Sequence, residues 1–345
     1  MTQFTKPAIN VDQQIELLLS RSLQIQSPER AKKYLEVISF FRLSAYMRPF
    51  QRPIAEQSVE HQFKDQVEFK QIVDLYAFDR ELRLLIMDAV ERVEVAIRAT
   101  LNNVMGTKYQ TAEPNSGSHW YMNSHLFKRN FNHQRLLNDI KDKQSKESQL
   151  LQRDITQIQR SNASAEVKEQ RIQRRIKENY PRFYQHHYST PELMPGWAMA
   201  EELTFGSISH LYSGLAKDSD RKAIAKRFSV PQEVLESWLH TLNFIRNCCA
   251  HHSRLWNREL AIQPKIPHGA LWQLPERLIP SQIQPNRRIY MVLLMLAYLM
   301  QQISPDSQWQ NKLKALILLH PEVPLFPMGF VDNWHDHDFF QTGEQ

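Results

Sequence analysis

Apolar residues recur along this chain at intervals of three and four, the spacing that gathers them on one face of an α-helix. In residues 11–25, Ile15, Leu18, Leu19 and Leu23 form such a face, with Asp12 placed to cap it. A second helix is predicted to open at Ser27 or Pro28 and to carry Ala31, Tyr34, Leu35, Ile38 and Phe41. Pro49 and Pro53 then place a break near 50–60. The longest periodic run follows. Ile72, Leu75, Phe78, Leu82, Leu85, Ile86, Ala89, Val93, Ala96 and Ile97 predict one helix from about Phe69 to Met105. Residues 111–125 are turn-rich, and from about 126 to 188 the chain becomes charged and Gln-rich. There SNASAE, near 161–166, marks the bend of a helical hairpin. Helical segments are predicted at 205–216 and 217–228. A long helix from about Pro231 to Trp256 has the stripe Val234, Leu235, Trp238, Leu239, Leu242, Ile245 and Cys249. Five prolines make 260–286 irregular, and helices at about 286–303 and 306–319 precede a Pro/aromatic tail. No run alternates as a strand should, and no segment repeats. The fold class is all-α.

Composition narrows the function. Of 345 residues only 8 are Gly, and neither G-x-G-x-x-G nor G-x-x-x-x-G-K-[ST] occurs, which removes glycine-rich phosphate cradles. Cys248 and Cys249 are neighbours, too few for a disulfide framework or a four-ligand zinc site, and they suit a reducing compartment. The longest apolar run, Ile289 to Met300, is 12 residues, short of the roughly 20 that span a bilayer. Met1–Asn10 has no apolar signal core, so a cytoplasmic protein without a membrane partner is expected. The formal charge is +6, and 141–182 alone holds 11 Lys and Arg against 6 Asp and Glu. Arg171, Arg174, Arg175 and Arg182 are therefore candidates for phosphate-backbone contact, with Tyr180, Phe183 and Tyr184 able to stack on unpaired bases. A solvated helical face is the plainer alternative.

The stretch FIRNCCAHHSRLWNR, 244–258, holds the densest chemistry. Asn247 and His251, four apart, share a helical face. Arg246 and His251, five apart, project about 140° from one another and about 7.5 Å apart along the axis, so two copies meeting at an interface would line one cleft with both. The set suits RNA cleavage. Imidazoles titrating near pH 6.5 can take a proton from a ribose 2′-OH or give one to the 5′-oxygen, and guanidinium groups stabilise the phosphorane; no metal or cofactor is needed. Spacing alone says little, since Arg182 and His187 repeat it. Arg254, Asn257 and Arg258, beyond the motif, read as RNA-phosphate ligands or interface residues. In the tail, His335, Asp336, His337 and Asp338 lack a helix to align them and read as polar surface, not a metal site. Cys248 and Cys249 read as small core residues.

Beyond these residues the chain resembles the Abi-like proteins of the AbiD/AbiF type, bacterial abortive-infection proteins within the HEPN superfamily. The resemblance runs through KPAINVDQQIELLLSRSLQI (6–25), YLEVISFFRLSAYMRPF (34–50) and FKQIVDLYAFDRELRLLIMDAVERVEVAIRATL (69–101), then WAMAEELTFGSISHLYSGL (197–215). Its most specific part is SWLHTLNFIRNCCAHHSRLWNREL (237–260), and it fades in 126–188 and in the tail. It implies a HEPN-like helical bundle at 61–260, with an N-terminal helical region at 1–60, the basic hairpin inserted at about 126–188, and C-terminal helices and tail at 261–345. It also implies an R-x4-6-H motif in which Arg246 is the arginine, Asn247 the polar residue, and His251 or His252 the histidine. In that superfamily the motif pairs across a homodimer and gives a metal-independent endoribonuclease. Some members work with a small non-coding RNA. Glu94 and Arg98 match a Glu-x3-Arg feature, either as a surface pair or with Glu94 holding Arg246 or a motif histidine. Three functions are left open: a phage-defence ribonuclease, a non-catalytic RNA-binding protein forming a ribonucleoprotein, and a toxin-like protein silenced by a partner.

Overall fold

The 40-residue helix α4 (Phe69–Lys108), roughly 60 Å long, is the spine on which the other helices are laid. A computed structural model describes residues 3, 7–53, 61–269, 272 and 287–340. These form thirteen α-helices with isolated bridges and no strand among the described residues, an all-α fold. Before the spine come α1 (Val11–Ser20), α2 (Pro28–Ile38) and α3 (Phe40–Met47). After it come α5 (His133–Gln159), α6 (Ala165–Ile176), α7 (Tyr180–His187), α8 (Gly196–Glu202), α9 (Phe205–Gly214) and α10 (Asp218–Lys226). The set closes with α11 (Gln232–Ala250), α12 (Ile289–Ile303) and α13 (Trp309–Leu319). Helices α3, α8, α9, α10, α11, α12 and α13 all pack on α4. The N-terminal, central and C-terminal regions thus share one apolar core.

Local chemistry sets the ends. Helix α1 is capped by Asn10 in a box with Gln13, not by Asp12, which pairs with Lys32 at 2.7 Å. It stops at Ser20 because Ser22 takes a left-handed φ of 67°, turning the chain so that Leu23 is buried beyond the helix end. The helix expected from Ser27 to Phe41 is two helices. Ser39, at φ 73°, breaks it, and the Ser39 hydroxyl then accepts the Arg42 N–H to cap α3. The aliphatic run of α12 is apolar on every side, and its residues Ile289–Ala297 are all buried, as such a helix must be.

The hairpin forms as predicted. Helices α5, α6 and α7 pack on one another, and α5 meets the body at α8. The tail is less polar than expected, since Trp334, Phe339 and Phe340 are buried in the core. Of the Pro-rich segment, 270–271 and 273–286 lie outside the described residues, as do 54–60 of the break near Pro53. Among the described residues no helix is long and apolar enough to cross a membrane.

Candidate functional site

Helix α11 ends six residues before the predicted Trp256, and it ends on the histidine pair. The His251 N–H still reaches the Asn247 carbonyl at 3.0 Å, one last helical bond. His252 then turns left-handed at φ 55°. Its N–H reaches the Cys249 carbonyl at 2.9 Å, and the Ser253 N–H reaches the Cys248 carbonyl at 2.8 Å. These bonds make up a Schellman motif, whose left-handed position is ordinarily glycine. Both imidazoles are exposed at a helix end instead of standing on a helical face.

The segment that follows is clamped by one buried carboxylate. Asp79 of α4 accepts the Leu255 N–H at 3.1 Å and the Trp256 N–H at 2.7 Å. It also accepts the Tyr46 hydroxyl of α3 at 2.6 Å and is ion-paired with Arg83. Removing a hydrogen-bonded partner from such a buried pair costs about 3–5 kcal/mol. Asp79 therefore joins α3, α4 and the chain beyond His252 at one point.

Between these elements lies an open groove of about 540 Å³. Its lining includes His251, His252, Arg254 and Arg258 from one side and Phe41, Arg42, Tyr46 and Arg48 from the other. No carboxylate lines it among the described residues. Three of its four arginines are held by neutral acceptors. Arg42 Nη1 donates to the His252 carbonyl at 2.7 Å, Arg254 Nη1 to the Ala45 carbonyl at 2.9 Å, and Arg258 Nε to the Arg254 carbonyl at 2.7 Å. A carbonyl takes up one N–H but leaves the charge, and the other donors, in place. Burial pushes Arg254 below the usual guanidinium range, against Tyr46 and Asp79, which raise it. A guanidinium remains charged at neutral pH all the same. Arg42 and Arg48 were missed in the sequence, where they stand 210 and 204 positions from His252 and carry no motif.

Arg246 and Asn247 lie on the last turn of α11 outside the groove lining, their side chains 3.4 Å apart. Asn257, left-handed at φ 50°, lies 3.5 Å from Arg288 Nη1. Glu94 is ion-paired with Arg98, which also donates to the Ala200 carbonyl and so ties α8 to the spine. Glu94 sits 15 positions beyond Asp79, roughly 22 Å along α4. The carboxylate of α4 that reaches the chain beyond the motif is Asp79, through the Leu255 and Trp256 amides. Its signal was the same acid-x3-Arg spacing, Asp79 to Arg83, inside the apolar stripe of α4.

In the hairpin, Arg182 is corrected from a phosphate ligand to a structural residue. Its side chain is 9% exposed and meets Glu147 at 2.8 Å, Asp154 at 3.2 Å and Glu178 at 3.1 Å. Arg175 pairs with Glu178 at 2.9 Å, whereas Arg171 and Arg174 are exposed with no ion pair among the described residues. Tyr184 is buried and donates to the Pro191 carbonyl at 2.8 Å, which leaves Tyr180 and Phe183 as the accessible rings. Cys248 and Cys249 are buried, and burial pushes the Cys249 thiol up to about 12, where it is no nucleophile. His335 lies 3.5 Å from Asp336, and the described residues contain no group of three or more His, Cys, Asp or Glu suited to a metal ion.

A family model described as Abi-like protein matches residues 33–257, from α2 to the residue after Trp256. No curated protein and no solved structure matches the chain.

Proposed function

We propose that this chain, which belongs to the Abi-like protein family, is a metal-independent endoribonuclease of phage defence whose reaction centre is the groove between α3 and the end of α11. The observation that carries the reading is the lining itself: two exposed imidazoles among four guanidinium groups, with no carboxylate to repel a phosphate. In the reaction a ribose 2′-oxygen attacks the adjacent phosphorus, and the bond to the 5′-oxygen breaks. The His251/His252 pair takes the 2′-OH proton and supplies one to the departing 5′-oxygen. Arg254 and Arg258 stabilise the charge on the phosphorane. Family membership supports a role in abortive infection.

The working unit in this proposal is a homodimer. Arg246 and Asn247 do not line the groove that His251 and His252 line. A second copy related by a two-fold axis would bring its own Arg246 to the phosphate that the histidines address. The test is purified protein on single-stranded RNA in EDTA. Cleavage leaving 2′,3′-cyclic phosphate is expected, falling at least 100-fold in the double variant His251→Ala/His252→Ala. A double variant that cuts RNA as fast as wild type overturns the reading.

A second reading is favoured by α6, where Arg171 and Arg174 stand exposed beside Lys168 and Lys177. In it, the protein holds a structured small RNA and cleavage is secondary. A discrete RNA that co-purifies and protects the hairpin supports this reading.

A further inference from the structure

Phe41 is 88% exposed, the most exposed large hydrophobic side chain among the described residues, and it stands in the lining of the cationic groove. A bare phenyl ring in water forgoes about 1.5–3 kcal/mol that burial would return. Its backbone is fixed. The Ser39 hydroxyl caps the first turn of α3, Ser44 donates to the Phe41 carbonyl at 2.7 Å, and the next residue, Arg42, is anchored on the His252 carbonyl. The ring therefore projects from a backbone that is tied, through Arg42, to the wall of the groove that carries the histidine pair.

The charge around the ring decides what can cover it. An apolar protein surface seated on Phe41 would also take water from Arg42 and Arg48, for which it has no compensating charge. Asp79, whose field reaches Arg254, is already committed to Arg83. The partner that fits is one that carries regular negative charge and a flat apolar face within a few ångströms of it. An unpaired nucleotide has both. In a duplex the base faces are stacked on one another and unavailable to a side chain.

We propose that Phe41 is a base-stacking residue. It receives the base of an unpaired nucleotide while Arg42 and Arg48 hold the flanking phosphates, so that this wall of the groove makes the site specific for single-stranded RNA. The proposal rests on the reading of the groove as an RNA site, not on its catalysing cleavage. In this arrangement Phe41 selects and positions the strand, and His251 and His252 carry the chemistry.

The probe is a short single-stranded 2′-fluoro oligoribonucleotide carrying 2-aminopurine, which lacks the attacking 2′-OH and so reports binding whether or not the protein cuts. Wild type should bind it with quenching of the 2-aminopurine. Phe41→Ala should weaken that binding about 5- to 150-fold and abolish the quenching, while leaving affinity for the duplex form unchanged. Phe41→Trp should restore both. The proposal is overturned if wild type does not bind the probe, if Phe41→Ala binds it as wild type does, or if single strand and duplex lose equally. It is also overturned if Phe41→Ala turns a dimer into a monomer by light scattering, which would give the ring to an interface between copies. A protein that stacks the probe but leaves natural RNA intact would refute the ribonuclease reading and keep this one.

Discussion

Two parts of this molecule are rich in arginine, and they treat the charge in opposite ways. In the hairpin two guanidinium groups meet carboxylates: Arg182 is enclosed by Glu147, Asp154 and Glu178, and Arg175 lies against Glu178. In the groove three meet backbone carbonyls, with Arg42 on His252, Arg254 on Ala45 and Arg258 on Arg254. Both arrangements occupy N–H donors. Only the first cancels the charge. The hairpin, where the sequence shows its largest positive surplus, uses part of it in its own packing. The groove is assembled from residues scattered across the chain and leaves its charge uncancelled. Counting charges along a sequence locates the first kind of region and overlooks the second.

The largest effect that would sharpen this comparison belongs to Asp79, the carboxylate that shapes the groove without lining it. Asp79→Ala should destabilise the protein by about 3–5 kcal/mol, because it strands Arg83 and frees the Leu255 and Trp256 amides. Thermal unfolding checks this, and an unchanged midpoint would break the account of the clamp. Arg182→Met should cost less, about 2 kcal/mol, since its carboxylate partners are partly exposed. Hydrogen exchange should localise that loss to α5–α7 and RNA affinity should not change.

The same cluster gives the hairpin a pH dependence. Burial raises the Glu147 carboxyl, but Asn179 and Arg182 together outweigh it and hold the group below its ordinary range. The stability this contributes is therefore complete above about pH 4.3 and is lost as pH falls through the lowered value. Exchange of the α7 amides should accelerate in that acid window in wild type but not in Arg182→Met.

Smaller effects separate the two regions directly. Arg42→Ala with Arg48→Ala should weaken single-stranded RNA binding about tenfold, with little change in stability. The double variant should also flatten the salt dependence, its log–log slope falling by roughly 0.7 for each phosphate that is no longer neutralised. Arg171→Ala with Arg174→Ala should weaken binding less than about threefold. The reverse order of these two losses would put the RNA on the hairpin.

Much of the fold is legible in the sequence because it rests on periodicity. The stripes of α4 and α11 stand where their spacing puts them, and every residue named for α11 is buried. What escapes is set by single left-handed residues with no glycine to announce them. Ser39 divides an apolar run that reads as continuous, and His252 ends a helix whose pattern continues to Trp256. The histidines themselves are legible from their setting. Their opposite wall is not: Arg42 meets the motif only through a contact that spans 210 positions, and Phe41 stands beside it. Asp79 reaches Leu255 across 176, and its acid-x3-Arg spacing looks no different from that of Glu94.

At His252 the backbone and the proposed chemistry make opposite demands. A left-handed φ costs a non-glycine residue about 1–2 kcal/mol, of which glycine would return part and asparagine a little. A library randomised at this position and selected only for folded, soluble protein should drift toward glycine and asparagine. Selected for survival under phage challenge, it should keep histidine. The distance between those two outcomes measures how much fitness the imidazole supplies against a standing pull toward a more comfortable helix end.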